Sequence, residues 1–370
     1  MPLPPLVEPV AALPDAERAR TARHRALAQL GEIGQRRLAA AHVAVVGAGG
    51  LGSPVILALA AAGVGTLTVV DDDAVEVSNL QRQVIHRRED VGAAKVDSAA
   101  RAAASLSDTA VRGIRERLTP ANAEAILAGA DLVIDGSDTF DTREAVAAAC
   151  EALGTPLVWG TVQEFHGQVT VFWTAPPAGT PAVRLSDLYP PGSTGDVPTC
   201  ADVGVLGALC LQIGSLMAME AVKLIAGIGE PLLGRVLMID ALRGRQREVP
   251  LRAARTDAGG SVAHPEPVAA PRPDLVFVDA TDLDPDAVTI VDVREEWEVA
   301  AGTIRGARHV PLADVLGDPR ALDGSADLVL VCQAGVRARR AAEALRDAGI
   351  PASVLVGGMD AWTAHQGARA

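Results

Sequence analysis

Short apolar runs separated by glycine-rich turns mark the first part of the chain. Residues 43–46 form one run and Thr66–Val70 form the next, and apolar residues recur at helical spacing between them until Gly63. A strand, a crossover helix and a second strand make a β-α-β unit, which implies a parallel sheet with ligands beyond the carboxyl ends of its strands. Residues 131–135 predict a further strand. The pattern therefore predicts an α/β fold with a mostly parallel sheet.

A helical segment is predicted before the first strand. Charged residues and alanines recur at helical spacing over residues 17–38, and Gly31 and Gly34 are expected to break that segment. Residues 1–14 are rich in proline and lack the basic start and apolar core of a signal peptide. We therefore expect residues 1–17 to form a loose N-terminal arm.

The turn after the first strand has the spacing Gly47-x-Gly49-x-x-Gly52. Glycines at these positions let backbone N–H groups approach a phosphate at the N-terminus of the following helix, which predicts a nucleotide site. Glycine-rich turns also occur for purely conformational reasons, so the spacing alone leaves both interpretations open.

Polar residues after the second strand narrow the choice of nucleotide. Asp71 lies where a dinucleotide fold places its ribose-binding acid, so ATP and NAD are both possible at that point. Residues 73–83 and Lys95 then supply polar groups that a hydride-transfer site does not need. Arg82 and Lys95 would offset the charge that develops on a leaving pyrophosphate. The alternative is that both cations belong to a solvated loop.

The strand predicted at residues 131–135 is followed closely by Asp138. A carboxylate at the carboxyl end of a strand would hold Mg²⁺, a hard cation that bridges phosphates. The alternative is that Asp138 only caps the helix that begins near Thr142.

Composition excludes several classes of partner. The chain has 370 residues and a net charge of −13 with no basic patch, which excludes nucleic acid. The most apolar run, residues 203–219, contains Gln212 and is too short to span a membrane, so it predicts a buried core helix. The cysteines are scattered, which favours a reducing cytoplasm; they are Cys150, Cys200, Cys210 and Cys332.

These motifs together resemble the ThiF/MoeB family, relatives of the ubiquitin-activating enzymes. The resemblance spans about residues 18–250 and implies a Rossmann-like ATP-binding domain. Such a domain adenylates the C-terminal glycine of a small ubiquitin-like sulfur carrier with ATP and Mg²⁺, usually as a homodimer. The segments that carry the resemblance are 47–52, 62–65, 71–83, Gly92 with Lys95, 135–140, 165–169, Thr199-Cys200, 204–207, 218–223 and Asp240-Ala241.

The resemblance also implies roles for individual residues. Arg23 would reach the nucleotide of the neighbouring protomer, although Thr21 and His24 depart from the family pattern around it. Thr139 replaces the usual Asn beside the metal-binding acid. Paired Cys-x-x-Cys ligands are absent, so we expect no structural zinc. The ATP site would consist of Gly47, Gly49, Gly50, Asp71, Arg82, Lys95 and Asp138, supported by Asn79 and Gln83.

A second domain is predicted after a linker at residues 251–273, which is rich in Ala, Pro, Gly and Arg. Residues 274–366 alternate apolar strands with helical patterns, which predicts a small α/β unit. Its third strand ends at Cys332, before a loop and a helix. A helix N-terminus and a nearby arginine would stabilise a thiolate or persulfide there, whereas an isolated cysteine is otherwise ordinary core. The loop consists of Gln333, Ala334, Gly335, Val336 and Arg337.

This second unit resembles a rhodanese domain. The resemblance rests on residues 292–298, 302–311, 332–337 and 357–362, and it implies that Cys332 carries a persulfide. Gln333 stands where many relatives have Arg, which leaves the sulfur donor, thiosulfate or a cysteine desulfurase, undecided. Asp292 and Arg308 are expected to be structural.

The order of the two domains resembles that of fused adenylyltransferase/sulfurtransferases. We expect ATP to activate the C-terminal glycine of a carrier ending in Gly-Gly, and the Cys332 persulfide then to attack the acyl-adenylate. Cys200 would release the thiocarboxylate from the resulting acyl-disulfide, or would be a passive loop cysteine. The pathway is open among molybdopterin, thiamine, cysteine and secondary metabolism. The alternatives are an NAD-dependent dehydrogenase and a non-catalytic carrier-binding module with an inert rhodanese domain.

Overall fold

The chain divides into two compact units, Met1–Thr256 and Asp257–Ala370. The computed structural model describes residues 3–190, 204–253, 275–324 and 327–367. Cys200 and most of the predicted linker therefore lie outside the described residues.

The larger unit is built on an eight-stranded sheet with the order β3-β2-β1-β4-β5-β6-β7-β8. The first five strands in that order are parallel, and the last three are antiparallel to their neighbours. This mostly parallel α/β architecture confirms the predicted fold class. The strands are β1 (His42–Val46), β2 (Thr66–Val70), β3 (Ala110–Ile114), β4 (Leu132–Asp135), β5 (Leu157–Gln163), β6 (His166–Phe172), β7 (Arg235–Asp240) and β8 (Arg245–Pro250).

Helices cover both faces of this sheet. Side chains alternate along β1, so Val43 and Val45 pack in one apolar cluster while Ala44 and Val46 pack in the other. The described helices of the unit are α1 (Asp15–Arg20), α2 (Ala22–Arg25), α3 (Gly31–Ala40), α4 (Gly52–Ala62), α5 (Lys95–Ala104), α6 (Ala123–Leu127), α7 (Phe140–Leu153), α8 (Leu185–Leu188) and α9 (Gly207–Ala226).

The N-terminal segment differs from its prediction. Gly31 begins α3 and Gly34 lies inside it, so the two glycines do not end a helix before β1. A Cβ at Gly34 would lie 2.6 Å from Cδ1 of Leu30, so the glycine makes room for a buried leucine. The described part of the arm is also held in place, because the Leu6 N–H donates to the carbonyl of Leu224 and the Val10 N–H to that of Arg36.

Helix α9 is the predicted buried core helix. It is long and apolar enough to cross a membrane by length and composition, and 56% of its apolar window is buried inside the protein. It packs against α4 and against strands β5 and β6. Its apolar character is therefore accounted for by packing in the core of the larger unit.

The smaller unit has a five-stranded parallel sheet with the order β11-β10-β12-β13-β9. Apolar clusters lie on both of its faces. Its strands are β9 (Val276–Val278), β10 (Thr289–Asp292), β11 (Arg308–His309), β12 (Leu328–Val331) and β13 (Ala352–Leu355). Its described helices are α10 (Glu296–Ala300), α11 (Leu312–Gly317), α12 (Val336–Asp347) and α13 (Gly358–Gly367).

The close contact between α4 and α9 predicts that a side chain at Gly214 would destabilise the larger unit. A Cβ at Gly214 would lie 2.6 Å from the backbone oxygen of Leu51 and would collide with the ring of Pro54. We expect Gly214→Ala to destabilise the unit by about 1–3 kcal/mol, although alanine favours helix, because the two helices would have to separate. Urea unfolding of the full chain measures this. Ser215→Ala, exposed on the same helix, is the control and should stay within about 0.5 kcal/mol of wild type.

Candidate functional site

A cleft opens at the carboxyl ends of the parallel strands in the larger unit. Its cavity volume is about 140 Å³, or about 930 Å³ when the open mouth is counted. Strands β1, β2 and β4 end there, and the turns that follow them form its walls. The predicted residues on these walls are Gly47, Gly49, Gly50, Asp71, Arg82, Gln83, Lys95 and Asp138.

The glycine turn between β1 and α4 is tightly packed against backbone. Gly47 has φ of +88°, and its Cβ position lies 3.1 Å from the carbonyl oxygen of Gly136. A Cβ at Gly52 would collide with the carbonyl oxygen of Gly47. Side chains are therefore excluded at both positions, and the backbone of the turn lines the cleft.

The peptide groups on either side of Ala48 are held by two side chains. Its N–H donates to Oδ2 of Asp71 at 2.7 Å, and its carbonyl oxygen accepts from Nε2 of His86 at 3.0 Å. Because a carbonyl can only accept, Nε2 of His86 carries a proton. These two bonds fix the orientation of the glycine turn where a phosphate would approach it.

His86 is a functional candidate that the sequence reasoning missed. It is 6% exposed, and Nδ1 lies 2.7 Å from the hydroxyl of Ser98. The Ser98 hydroxyl is also within hydrogen-bond distance of Asp90, which pairs with Arg101. Burial lowers the pKa of His86 and repulsion from Lys95 adds to this effect, against the hydrogen bond to Ala48.

The predicted acid and cations meet in the cleft. Burial raises the pKa of Asp71, although Lys95 and the N–H groups of Ala48 and Asp73 favour its charged form. The Nζ of Lys95 lies 2.7 Å from Oδ2 of Asp73, and the side chain of Lys95 is 7% exposed whereas that of Asp73 is 57% exposed. Lys95 is thus a buried cation whose carboxylate partner reaches into solvent.

The predicted residues in the loop after β2 differ in whether they line the cleft. Arg82 lies on the cleft wall, and its Nη1 donates to the carbonyl of Ser78 at 3.2 Å. Gln83 also lines the cleft, and its buried Oε1 has no hydrogen-bond partner in the structure. Asn79 is buried, and its Oδ1 accepts from the N–H of Glu76, so it stabilises the loop and is not part of the wall.

The exposed Asp138 lies on the wall contributed by the turn after β4. Thr139 is the N-cap residue of α7, so the capping role considered for Asp138 is wrong. A carboxylate oxygen on the wall of an open cleft fits Mg²⁺. Asp71, Asp72 and Asp73 also bring carboxylates together, but Asp72 pairs with Arg117 and Asp73 with Lys95.

Arg143 is a further cation on the wall that the sequence reasoning did not include. It is 8% exposed, its Nη2 donates to Ser137 O and Thr161 Oγ1, and its guanidinium lies 5.7 Å from the centroid of the Trp159 ring. Burial raises the pKa of Asp135, against the charge of Arg143. Other residues with polar side chains or a thiol on this wall are Asp72, Asp73, Glu116, Arg117, Ser137, Thr139, Thr142 and Cys210.

Arg23 and Asn79 are predicted site residues that do not line this cleft. Arg23 is exposed on α2 and does not line it. Cys200 lies outside the described residues.

The second candidate site is the turn between β12 and α12. Cys332 is 2% exposed, and its Sγ accepts from the N–H of Gly335 at 3.2 Å. Gly335 has φ of +98°, a conformation that favours glycine, and α12 begins directly after it. The loop thus aims a backbone N–H and a helix N-terminus at the sulfur, as a thiolate or persulfide requires.

A pocket with a cavity volume of about 590 Å³ lies beside this loop. Arg294 donates to Asp292 at 2.8 Å and to Oε1 of Gln333 at 3.1 Å. Arg337 forms a two-point ion pair with Glu298, with N–O distances of 2.6 and 2.7 Å. The pocket is lined by Arg294, Trp297, Glu298, Ala301, Gly302, Thr303, Gln333, Met359, Trp362, Thr363 and Gln366.

Two family models match successive parts of the chain. A model described as the ThiF family matches residues 21–260, and one described as the rhodanese-like domain matches residues 280–365. The chain is 42% identical to the probable adenylyltransferase/sulfurtransferase MoeZ of Mycobacterium tuberculosis, over 97% of this chain and 96% of that protein. It is 47% identical to a sulfur carrier protein adenylyltransferase of Thermus thermophilus, over 61% of this chain and 84% of that protein.

Solved structures share the fold of the larger unit. The crystal structure of E. coli MccB with MccA-N7isoASN superposes with a TM-score of 0.56 over 66% of this chain and 74% of that one. The sequences are 19% identical. This similarity supports the fold of the unit.

The lowered pKa of His86 predicts a pH dependence of stability. Below the ordinary histidine pKa of 6.5, the unfolded chain binds a proton at this residue more strongly than the folded chain does. The free energy of unfolding therefore decreases as the pH is lowered through that range. We expect His86→Gln, whose amide can still donate to Ala48, to flatten this slope between about pH 5 and 6.5. Urea unfolding at several pH values measures it. His166→Gln, exposed in the same unit, should keep the wild-type slope.

Proposed function

The chain belongs to the ThiF family and carries a rhodanese-like domain, and on this premise we propose that it adenylates and then thiocarboxylates a small ubiquitin-like sulfur-carrier protein. It is an adenylyltransferase and a sulfurtransferase in one chain. The observation that carries the proposal is that one cleft combines the glycine turn with Arg82, Lys95 and Asp138.

In the first step a carboxylate oxygen of the carrier's C-terminal glycine attacks the α-phosphorus of ATP, and pyrophosphate leaves. The turn around Ala48 would bind phosphate oxygens, and Arg82 and Lys95 would stabilise the charge on the pyrophosphate. The carboxylate of Asp73 can turn into solvent and leave Lys95 to the nucleotide, since more than half of it is already exposed. Asp71 would bind the ribose. Gln83 also lines the cleft, with an amide whose buried oxygen has no hydrogen-bond partner.

Asp138 would hold Mg²⁺, which supplies charge neutralisation for the phosphates when it is bound. The cysteines form no Cys-x-x-Cys pair, so the proposal includes no structural zinc.

In the second step the terminal sulfur of a Cys332 persulfide attacks the carbonyl carbon of the acyl-adenylate, and AMP leaves. The product is an acyl-disulfide between the carrier and Cys332. The thiolate of Cys200 would then attack the Cys332 sulfur, which releases the thiocarboxylate and leaves a Cys200–Cys332 disulfide for a thiol reductant. Both sulfurs are oxidised in that disulfide, and the reductant restores them.

Several finer points belong to the same proposal. The carrier would end in Gly-Gly, and the enzyme would act in the cytoplasm as a homodimer in which Arg23 reaches the partner's nucleotide. Molybdopterin synthesis is one pathway that uses such carriers. Among the described residues of the cleft none favours a dehydrogenase, because the cations and Asp138 would serve a triphosphate and would have no role in hydride transfer.

If Asp138 holds Mg²⁺, replacing it should lower the activity of the first step alone. We expect Asp138→Ala to lower carrier-dependent ATP–pyrophosphate exchange by about 100-fold or more, while transfer of sulfur to Cys332 continues. Exchange of labelled pyrophosphate into ATP measures the first activity and mass spectrometry of Cys332 the second. Asp141→Ala, exposed in the first turn of α7, is the matched control. Wild-type exchange in Asp138→Ala would disprove the assignment.

The cysteine roles predict two different products. Cys332→Ala should adenylate the carrier but yield no thiocarboxylate, because its defect follows activation. Cys200→Ala should accumulate a carrier–Cys332 adduct that an added thiol releases, since an external thiol replaces the missing nucleophile. Mass spectrometry of the carrier and of the enzyme distinguishes them. Cys150→Ala is the control, because burial raises the pKa of the Cys150 thiol and makes it unreactive. Thiocarboxylate formed by Cys332→Ala at the wild-type rate would contradict the mechanism.

A further inference from the structure

Three polar contacts connect the glycine turn of the larger unit to a buried carboxylate. Nε2 of His86 lies 3.0 Å from the carbonyl oxygen of Ala48, and Nδ1 of His86 lies 2.7 Å from Oγ of Ser98. That Oγ lies 3.0 Å from Oδ2 of Asp90. His86, Ser98 and Asp90 are each at most 6% exposed. Because so little water reaches them, their hydrogen bonds depend on the protons that these residues themselves carry.

The number of protons in this network depends on the charge of His86. Each contact joins two electronegative atoms and needs one proton to be a hydrogen bond. Burial would raise the pKa of Asp90, but hydrogen bonds from the Arg87 N–H and the Ser98 hydroxyl outweigh it and lower the pKa, so this carboxylate brings no proton. A neutral imidazole and the Ser98 hydroxyl supply two protons for three contacts, whereas an imidazolium and the hydroxyl supply three. The network is therefore complete only when His86 is charged.

Burial and nearby cations favour the neutral form of His86 in the structure. Burial lowers its pKa, and repulsion from Lys95 and Arg101 of α5 adds to this effect, against the hydrogen bond to the glycine turn and the attraction of Asp90. In the neutral form the proton lies on Nε2, because the carbonyl can only accept. The single proton of the Ser98 hydroxyl then serves either Nδ1 or Asp90. The network thus has a place for one more proton, at Nδ1.

A phosphate on the glycine turn would shift this balance toward the charged form. A trans peptide is planar, so the N–H of Gly49 points to the side opposite the Ala48 carbonyl, away from His86, and Gly49 lines the cleft. A phosphate oxygen that accepts from this N–H polarises the peptide and makes the carbonyl a stronger acceptor for His86. The negative charge would also offset the repulsion from Lys95 and attract a cation behind the turn.

We propose that His86 takes up one proton when a polyphosphate binds to the glycine turn, and that the imidazolium then holds the turn in place behind the nucleotide. The proton comes from solvent and adds to Nδ1, which donates to Oγ of Ser98, and the Ser98 hydroxyl donates to Asp90. No bond between heavy atoms changes. His86 is a positioning residue, since it acts on the nucleotide through the backbone of Ala48. The inference rests on the proposed binding of ATP in this cleft.

Proton uptake can be measured by calorimetry on the full-length protein. ATP with Mg²⁺ is titrated in, without a carrier, at neutral pH in buffers of different ionisation enthalpy, and the slope of the binding enthalpy against that quantity gives the protons bound per nucleotide. ATP itself exchanges protons, so the decisive quantity is the difference between wild type and His86→Gln. The glutamine amide can donate to Ala48 and accept from Ser98, but it cannot take a charge.

We expect wild type to take up about 0.5 proton or more per nucleotide beyond His86→Gln. Because binding that takes up a proton is favoured at low pH, the affinity for ATP should also fall more steeply with rising pH in wild type than in this variant. His166→Gln, exposed in the same unit, is the matched control and should behave as wild type in both measurements.

A second measurement reads the protonation of His86 in the wild-type protein. Nitrogen NMR of protein with labelled histidine rings distinguishes protonated from unprotonated ring nitrogens, and the signal missing from the His86→Gln spectrum identifies this residue. ATP with Mg²⁺ should convert Nδ1 from an unprotonated to a protonated nitrogen, while Nε2 keeps its proton. A residue with a purely structural role would show no such change.

The outcomes separate this inference from the proposed function. An Nδ1 signal that ATP leaves unchanged, whether unprotonated or already protonated, would overturn the inference and leave ATP binding in the cleft standing. Equal proton uptake in wild type and His86→Gln would overturn it as well. A protein that binds no ATP would instead refute the proposed adenylation, and the inference with it.

Discussion

The hydrogen bonds on either side of Ala48 are the constraint on which the cleft of the larger unit depends. Asp71 at the end of β2 holds the N–H, and His86 in the loop beyond holds the carbonyl. Glycines before and after it allow the turn to fold so tightly that a Cβ at Gly52 would collide with the carbonyl oxygen of Gly47. The turn is therefore shaped before any ligand arrives, so less of the binding energy is spent on ordering it.

Local patterns predicted the strands and the residues that follow them. Thr66–Val70 is the second strand in the structure as in the prediction, and Lys95 begins α5. Asp71 and Asp138 could be placed near the cleft because the carboxyl ends of parallel strands meet at one edge of a sheet. This part of the site follows from sequence position alone.

The missed residues depend on contacts between distant parts of the chain. His86 bonds a carbonyl 38 residues earlier, and Arg143 a hydroxyl 18 residues later. Neither belongs to a repeating pattern, so no periodicity identifies them. Gly34 shows the opposite error, because a glycine that looked like a helix break is required by the packing of Leu30 inside a helix. Sequence periodicity does not reveal packing contacts or hydrogen bonds between residues far apart in the chain.

The two sites differ in whether a paired cation is available to a ligand. The exposure of its carboxylate partner determines this. At Lys95 the partner Asp73 is more than half exposed, so a phosphate can replace it while the aspartate is solvated by water. At Arg294 and Arg337 the side chains of both ion pairs are at most 11% exposed, so removing a carboxylate from its partner there leaves a charge with little solvent. The first arrangement gives a cation that can bind an anionic substrate, whereas the second gives a rigid wall. The two sites thus use the same residue types to different effect, because burial determines whether the positive charge is available to a ligand.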